Sequence, residues 1–502
     1  MEIGDLKDKK IALLGMGLEN IFLADFLIQN GITDIELRDQ KDLLGIGESV
    51  PTDAKELLNT ILKGSLQQGR DDIEGEVRSS GITHCFGPEY LDGLNKFDVI
   101  FRTPGLPYLT PQIQKAKEAG VNISSQIKLF FDLCPAKIIG VTGTKGKGTT
   151  ATLISEILKK SKERNPNLTS NIFLLGNIGS AAVNHLSEID AEALVILELS
   201  SFQLQDLHKS PYISVVTNLG EDHLNYHQNL EEYWGSKANI LKHQTRADYA
   251  ILNQDYLSTF ELVSQTDAKV YYFSGKNLVD EGSYLKSQIS NLKNKEVILK
   301  MGSYGEVVCT SNELKIVGDH NLENIAAASI VAKICGVQLE QIRKAILEFP
   351  GLDHRLEFVA EKNGVKYFND SFATNPVATL AAIRAFEQPV VLIVGGSEKN
   401  LDYDELVREI SSNKNIKYVV SIGDTGNRIS DLLRLVGYDK VLPGGESMRE
   451  IVNTAERQAV SGDVILLSPA SASFGLFKDY KDRGNQFKSY VQQGWTKSND
   501  KI

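Results

Sequence analysis

Basic charge is scarce in this 502-residue chain: 54 Lys and Arg stand against 65 Asp and Glu, a formal net charge of −11. Neutralising a polynucleotide backbone needs clustered Lys and Arg, so the charge argues against a general nucleic-acid binder while leaving room for a local basic pocket for a small anion. Cysteine is scarce too. The four present (Cys85, Cys134, Cys309, Cys335) are far apart, which argues against a disulfide framework or a zinc site and fits reduced thiols. Long apolar runs are missing: none approaches the ~20 residues that span a bilayer. The opening MEIGDLKDKK is charged and lacks the apolar stretch of a secretory leader. The expectation is a cytoplasmic protein with no membrane insertion and no nucleic-acid partner.

With 42% hydrophobic and 24% charged residues, the composition is that of a soluble globular chain. Its length exceeds one ordinary core. Residues 10–38 read as strand, glycine turn, helix and strand, with Gly15-Met-Gly17 at the turn and the second strand ending at Asp39. This is a Rossmann-like opening, although Asn20 stands where the third glycine of a dinucleotide fingerprint belongs. Two readings stay open: a turn that only packs a helix, or a nucleoside diphosphate held at the helix N-terminus, with Asp39 accepting from a ribose or uracil. Residues 42–82 look polar and irregular, an inserted and partly mobile segment. VIFRTPGLP (99–107) reads as a strand running into a turn at the same sheet edge, and 110–133 as helical.

A second α/β pattern starts at AKIIGVTGTKGKGTT. Strand, glycine loop and helix follow one another across 138–150, with Leu153, Ile154, Ile157 and Leu158 on one helix face. Glycines let backbone N–H groups turn toward phosphates, and the helix N-terminus adds positive potential. Lys147 is placed to reach phosphate oxygens. The hydroxyl that normally follows the lysine is displaced by Gly148, with Thr149 and Thr150 coming later. Glu198 ends the LVILE strand, a place where Mg²⁺ is held beside phosphate loops, or else a solvated strand end. His223 follows the next strand. A third pattern begins after Phe349-Pro350-Gly351, with strands in PVVLIVGGSEKN, KYVVSIGD and DVILLSPAS. The expected architecture is three α/β domains: a Rossmann-like domain over 1–126, a central P-loop ATPase-like domain over 127–352 and a C-terminal Rossmann-like domain over 353–502.

The motifs GTKGKGTT, LELSSFQL, NLGEDHLNYH, SKANIL, GDHNLENIAAA, HRLEF, NDSFATNP and LLSPASASFGLFKDYKDRG occur in the order seen in the Mur ligases, and the chain resembles that family over nearly its whole length outside 42–82. ELSSFQL and LSPASASF are most similar to the members that add D-glutamate. The resemblance implies an ATP-dependent amide ligation in peptidoglycan precursor synthesis. ATP would phosphorylate the alanyl carboxylate of UDP-N-acetylmuramoyl-L-alanine, and the amine of glutamate would attack the acyl phosphate.

The resemblance also implies roles. Gly143, Thr144, Lys145, Gly146, Lys147, Gly148, Thr149 and Thr150 would hold the ATP phosphates, with Asn321, Asn324, His354, Arg355 and Asp370 as further nucleotide contacts. Thr149, Glu198, His223 and Lys237, the last as a carbamate, would hold two magnesium ions. Taken alone, Lys237 reads as an ordinary helix-surface lysine. Gly15, Met16, Gly17, Leu18, Asp39, Gln40 and Lys41 would hold the uridine diphosphate end. Thr103, Pro104, Gly105, Asn177, Ser200 and Gln203 would support the rest of that substrate. Thr374, Lys399, Ser473 and Tyr480 would surround glutamate. A monomer is expected.

The chain departs from the family at Phe372, where lysine is common, at Gly475, where aspartate is common, at Gly148, and at GGSEK. These departures leave L-glutamate as a competing acceptor and a catalytically weak precursor sensor as a rival. A kinase-like switch and a Rossmann oxidoreductase remain open on the P-loop or on Gly15-Met-Gly17 alone.

Overall fold

The computed structural model describes residues 1–68, 81–162, 171–177, 181–224, 226–287, 294–398 and 401–493. Its strands are short runs of Val, Ile and Leu, the residues that fit sheets covered on both faces. They assemble three sheets.

In the first sheet, Ile11–Leu14 lies between Ile35–Asp39 and Val99–Arg102, with Ile82–Phe86 and Asn122–Ser124 outermost, all parallel. The strand order reverses at Ile11–Leu14, so the turn after Leu14 opens where ligands bind in doubly wound sheets. The helix Leu18–Gln29 starts from Gly17, and Leu23, Ala24 and Leu27 are buried beneath it. Asn20 replaces the third glycine by bonding. Its side-chain amide donates to the carbonyls of Leu14 at 3.0 Å, Gly15 at 2.9 Å and Phe101 at 3.3 Å.

Two expectations need correction here. Within 42–82, Leu43–Ser49 and Thr52–Gln68 are helical, and Ala54, Leu58, Ile61 and Leu62 join the core that holds Leu23 and Leu27. That i, i+4, i+7, i+8 spacing is an apolar helix stripe masked by the charges around it. Residues 69–80 lie outside the described residues. The stretch 110–133 is not one helix but Pro111–Glu118, the strand Asn122–Ser124 and Gln126–Leu133. Gly120, with φ of 93°, breaks it.

The second sheet has nine strands. Third from one edge, Lys137–Thr142 lies between Leu194–Glu198 and Ile213–Val216, all parallel, with Ile172–Gly176 beyond Leu194–Glu198 as the edge strand. In the third sheet an antiparallel pair, Glu357–Lys362 and Val365–Asn369, leads into parallel Val464–Leu467, Val390–Gly395, Ile416–Ile422 and Val441–Pro443. The strands expected in ALVILELS, PVVLIVGG, KYVVSIGD and DVILLSPAS are all present.

The chain divides into two compact units: residues 1–286 with 297–308 and 323–342, and residues 287–296 with 309–322 and 343–502. All four cysteines are free thiols. No helix among the described residues is long and apolar enough to cross a membrane.

Candidate active site

The glycine loop after Lys137–Thr142 is shaped by the residues ending the neighbouring strand. Gly143 has φ of 145° and Gly146 of 84°. A side chain at Gly143 would collide with Thr217, and one at Gly146 with the Asn324 amide. Asn218 clasps the loop at both ends of one residue: its Oδ1 accepts from Lys145 N at 2.9 Å and its Nδ2 donates to Lys145 O at 3.0 Å. Thr217 Oγ1 donates to Lys145 O at 2.6 Å. Neither Thr217 nor Asn218 stood out in the sequence. The signal was a Thr-Asn pair directly after a buried strand.

The helix Lys147–Lys162 begins at the lysine itself. Lys147 Nζ donates to the carbonyls of Gly143 at 2.8 Å and Thr144 at 3.1 Å. Gly148 and Thr150 are buried, Thr149 is half-buried, and Lys145 is exposed. Thr150 Oγ1 donates to Asn324 Oδ1 at 3.2 Å, tying the helix Asp319–Ile334 to the loop.

Glu198 is buried at its strand end, so the solvated alternative does not hold. Its Oε1 accepts from Asn177 Nδ2 at 3.2 Å. Lys237 overturns the surface-lysine reading: it is only 1% exposed. Its Nζ donates to Gly143 O at 2.9 Å and lies 4.9 Å from the Tyr233 ring centroid. Burial, with the Lys147 charge adding to it, holds the Lys237 amine well below the usual lysine range, against the opposing pull of Asp222 and Glu198. His223 has φ of 53°, and its ring meets Phe202 edge-on at 4.8 Å. Burial lowers its proton affinity, partly countered by Asp222, with Lys237 and Lys147 lowering it further.

At the carboxyl edge of one sheet, Lys147 and Glu198 thus act on Lys237, and Lys147 and Lys237 act on His223. Among the described residues no cluster of three or more His, Cys, Asp or Glu side chains is arranged to hold a metal. The set predicted from sequence contains one carboxylate and one imidazole, and Lys237 as an amine is a cation competitor rather than a ligand.

The residues predicted for the uridine diphosphate end lie at the edge of the first sheet. Asp39 does not simply face outward: its Oδ2 accepts from Met16 N at 2.6 Å and its Oδ1 from Lys41 N at 2.8 Å, so it orders the turn. Thr103 packs on Gly15 and Gly17 so closely that a Cβ at Gly15 would strike its methyl. Pro104 O accepts from Tyr226 OH at 2.8 Å. Ser200 and Gln203 form a capping box, and Gln203 Nε2 donates to Glu19 Oε1 at 2.7 Å. Glu19 was not singled out from sequence. Its other oxygen is buried without a partner among the described residues, and burial pushes its carboxyl up to about 7.

Arg102, also unremarked in the sequence, is 1% exposed and joins both edges. It donates to Leu106 O at 2.6 Å, Phe202 O at 3.1 Å and Asp206 Oδ1 at 3.2 Å. A cavity of about 590 Å³ lined by Leu6, Lys9, Phe97, Asp98 and Asn122 contains none of these predicted residues.

In the second unit, Asn321 Nδ2 donates to Val317 O at 2.7 Å. His354 and Leu356, on either side of Arg355, both take left-handed φ, 64° and 43°. His354 N donates to Glu357 Oε2 at 2.9 Å, and Asn369 Nδ2 lies 2.9 Å from His354 Nδ1. Asp370 accepts from Leu356 N at 3.1 Å and Ser468 Oγ at 2.7 Å, and burial pushes its carboxyl up to about 7. The Arg355 guanidinium lies 4.0 Å from the Phe372 ring centroid, and that ring meets Tyr480 edge-on at 5.1 Å. Thr374 N donates to Phe372 O at 2.8 Å, and Ser473 is buried. Arg483 is fully buried and bonds Ser371 Oγ and Ser371 O at 2.9 Å and Ala472 O at 3.3 Å. Gly475 has φ of 95°, a conformation that an aspartate would adopt only under strain. Lys399 lies outside the described residues.

The chain matches the Mur ligase middle domain over residues 141–332 and the Mur ligase glutamate ligase domain over 354–471. It is 37% identical over 492 residues to a UDP-N-acetylmuramoylalanine--D-glutamate ligase of Acetivibrio thermocellus, covering 97% of each chain. It is 37% identical over 490 residues to the enzyme of that name from Clostridium kluyveri, again covering 97% of each. Among solved structures, the UDP-N-acetylmuramate-alanine ligase of Thermotoga maritima shares the fold, with a TM-score of 0.53, 18% identity and coverage of 97% of this chain and 100% of that one. The MurF ligase of Thermotoga maritima in complex with ADP does so as well, with a TM-score of 0.52, 15% identity and coverage of 98% and 97%. The chain belongs to the Mur ligase family.

Proposed function

We propose that this protein is a cytoplasmic, monomeric ATP-dependent amide ligase that adds D-glutamate to UDP-N-acetylmuramoyl-L-alanine in peptidoglycan precursor synthesis. The observation that carries the reading is the meeting of a glycine phosphate loop, a buried Glu198 and a buried Lys237 at one sheet edge. The names of the two 37% identical relatives support the choice of substrates.

The reaction brings an anionic carboxylate to an anionic phosphate, so positive charge must offset their repulsion. Lys147 and the N–H groups of residues 143–150 would hold the ATP phosphates, with Asn321, Asn324, His354, Arg355 and Asp370 as further nucleotide contacts. The γ-phosphoryl group passes to the alanyl carboxylate, ADP leaves, and the neutral amine of glutamate displaces phosphate to form the amide. Gly15 to Leu18 and Asp39 to Lys41 would hold the uridine diphosphate end, Thr103 to Gly105, Asn177, Ser200 and Gln203 the remainder, and Thr374, Lys399, Ser473 and Tyr480 the glutamate. The domain assignment proposed is 1–126 for the UDP substrate, 127–352 for ATP, and 353–502 for glutamate and further ATP contacts.

The residues fit two magnesium ions on one condition. An amine held below the usual lysine range is unprotonated more of the time, which favours uptake of carbon dioxide, and a carbamate at Lys237 would join Glu198, Thr149 and His223 in an oxygen-rich set suited to Mg²⁺. Magnesium, when bound, supplies charge neutralisation of the phosphates.

The test is phosphate release with ATP, Mg²⁺ and UDP-N-acetylmuramoyl-L-alanine, with D-glutamate, L-glutamate or no amino acid in parallel. Release that depends on D-glutamate is expected. Release with L-glutamate alone would keep the mechanism and overturn the acceptor, and release with neither would overturn the ligase reading.

A further inference from the structure

Arg355 is an exposed arginine on a strained stretch of chain, and its guanidinium has an unusual neighbour. Among the described residues the guanidinium makes no ion pair and no hydrogen bond, while the backbone N–H of Arg355 donates to Leu352 O at 3.1 Å. Asp370, which feels its charge, is bonded instead to Leu356 N and Ser468 Oγ. What the guanidinium does meet is the face of Phe372, at 4.0 Å from the ring centroid. Two left-handed residues flank Arg355, and such strain persists only where the surroundings hold it. Here the holding contacts are Glu357 and Asn369 on His354, and Phe372 N donating to His354 O at 3.0 Å. That last bond fixes the backbone of Phe372 to the strained stretch itself. The ring is 41% exposed and is braced from its edge by Tyr480 at 5.1 Å.

A guanidinium lying on a ring keeps the N–H groups in its plane available while losing much of its rotational freedom. A lysine in place of Phe372 would do the opposite: it would repel Arg355 and leave it free to swing. We propose that Phe372 is a positioning residue that holds the Arg355 guanidinium by stacking, so that its donors are presented in a fixed plane to the nucleotide's phosphate. The proposal rests on the reading of Arg355 as a nucleotide contact. It gives Phe372 a definite role, indirect and exerted through Arg355.

The experiment is a double-mutant cycle on the full chain, reading the KM for ATP and kcat separately, with thermal midpoints as a control for folding. The variants are F372A, F372L, F372W, R355A and R355A/F372A. An exposed stack of this kind corresponds to about a two- to five-fold change in affinity. F372A and F372L are expected to raise the KM for ATP by about that factor with a smaller change in kcat, and F372W, which keeps a π face, to restore it. F372L retains most of the bulk and separates loss of stacking from loss of packing. In the R355A background, F372A is expected to add nothing to the KM for ATP. Equal effects of F372A with and without Arg355, or equal damage from F372W and F372L, would overturn the proposal. If R355A raises the KM while F372L is silent, Phe372 is not the positioning group although Arg355 contacts nucleotide. If R355A itself leaves the KM unchanged, the nucleotide reading of Arg355 fails and the proposal falls with it.

Discussion

Lys147 and Lys237 donate to the same oxygen, the carbonyl of Gly143, at 2.8 and 2.9 Å. Lys147 enters from the helix that follows the loop, and Lys237 from the helix Leu230–Ala238. Two ammonium groups sharing one acceptor repel each other, and the deeply buried one yields, which is why Lys147 adds to the depression of Lys237.

Lys147→Ala should therefore separate two functions. Turnover should fall by roughly a thousandfold, as when a group that stabilises developing charge is removed. Binding of the UDP substrate, measured by calorimetry without ATP, should stay within about threefold, because that site is proposed to lie at Gly15 to Leu18 and Thr103. Ordinary turnover in this variant would remove the loop from the mechanism.

Lys237→Ala should be inactive yet recover part of its activity with added formate or acetate, a short carboxylate replacing the carbamate oxygens. The wild-type protein kept in bicarbonate should carry one extra carbon dioxide on the peptide containing Lys237, seen by mass spectrometry under gentle conditions. Indifference to both treatments would leave Lys237 as an amine whose role is to shape Gly143.

Asp370 gives stability a pH dependence with a definite sign. Its carboxyl is pushed up to about 7 in the folded chain, against about 3.9 when unfolded. The folded state holds the proton more tightly, so this stabilisation is full below about pH 4 and lost as pH rises through 7. Asp370→Asn cannot ionise. Its thermal midpoint relative to the wild type should climb between pH 5 and pH 8, read by scanning calorimetry at several pH values. A constant difference would mean that Asp370 stays ionised in the folded chain.

Arg102→Met should destabilise the first unit by about 3 kcal/mol, the lower range for removing one partner of a buried ion pair. Lys128 Nζ, 3.1 Å from Asp206, still offsets part of the stranded charge. Chemical denaturation followed by circular dichroism gives the value, and Arg102→Met combined with Asp206→Leu should recover much of it. A loss under 1 kcal/mol would show that the carbonyls of Leu106 and Phe202 are easily resolvated.

The strands and the phosphate loop were legible because their signals are local: a short Val/Ile/Leu run closed by glycine or an acid. Glu198 could be placed at a strand end from LVILE alone. The helices over 43–68 were not legible, because their thin apolar stripe is set among polar and charged residues that made the segment read as irregular. The burial of Lys237 could not be read either. Ala238, Ile240 and Leu241 in SKANIL are core residues, but an apolar stripe says nothing of the charged side chain beside it, and what meets Lys237 is Tyr233 one turn earlier together with the Gly143 loop from a distant part of the chain. Asn20 looked like a flaw in a fingerprint because the pattern counts glycines and not the bonds that replace them.

The three carbonyls gathered by Asn20 come from two neighbouring strand ends and the turn between strand and helix. A glycine there would remove all three bonds, leaving Leu14 O with its bond from Thr103 N at 2.9 Å, and the turn would be less firmly held. With the amide in place the entropy of ordering the turn is settled during folding, before any ligand arrives. Shortening Asn20 should thus slow capture and lower the affinity of the UDP substrate proposed to bind at this turn, an effect exerted through the order of the backbone.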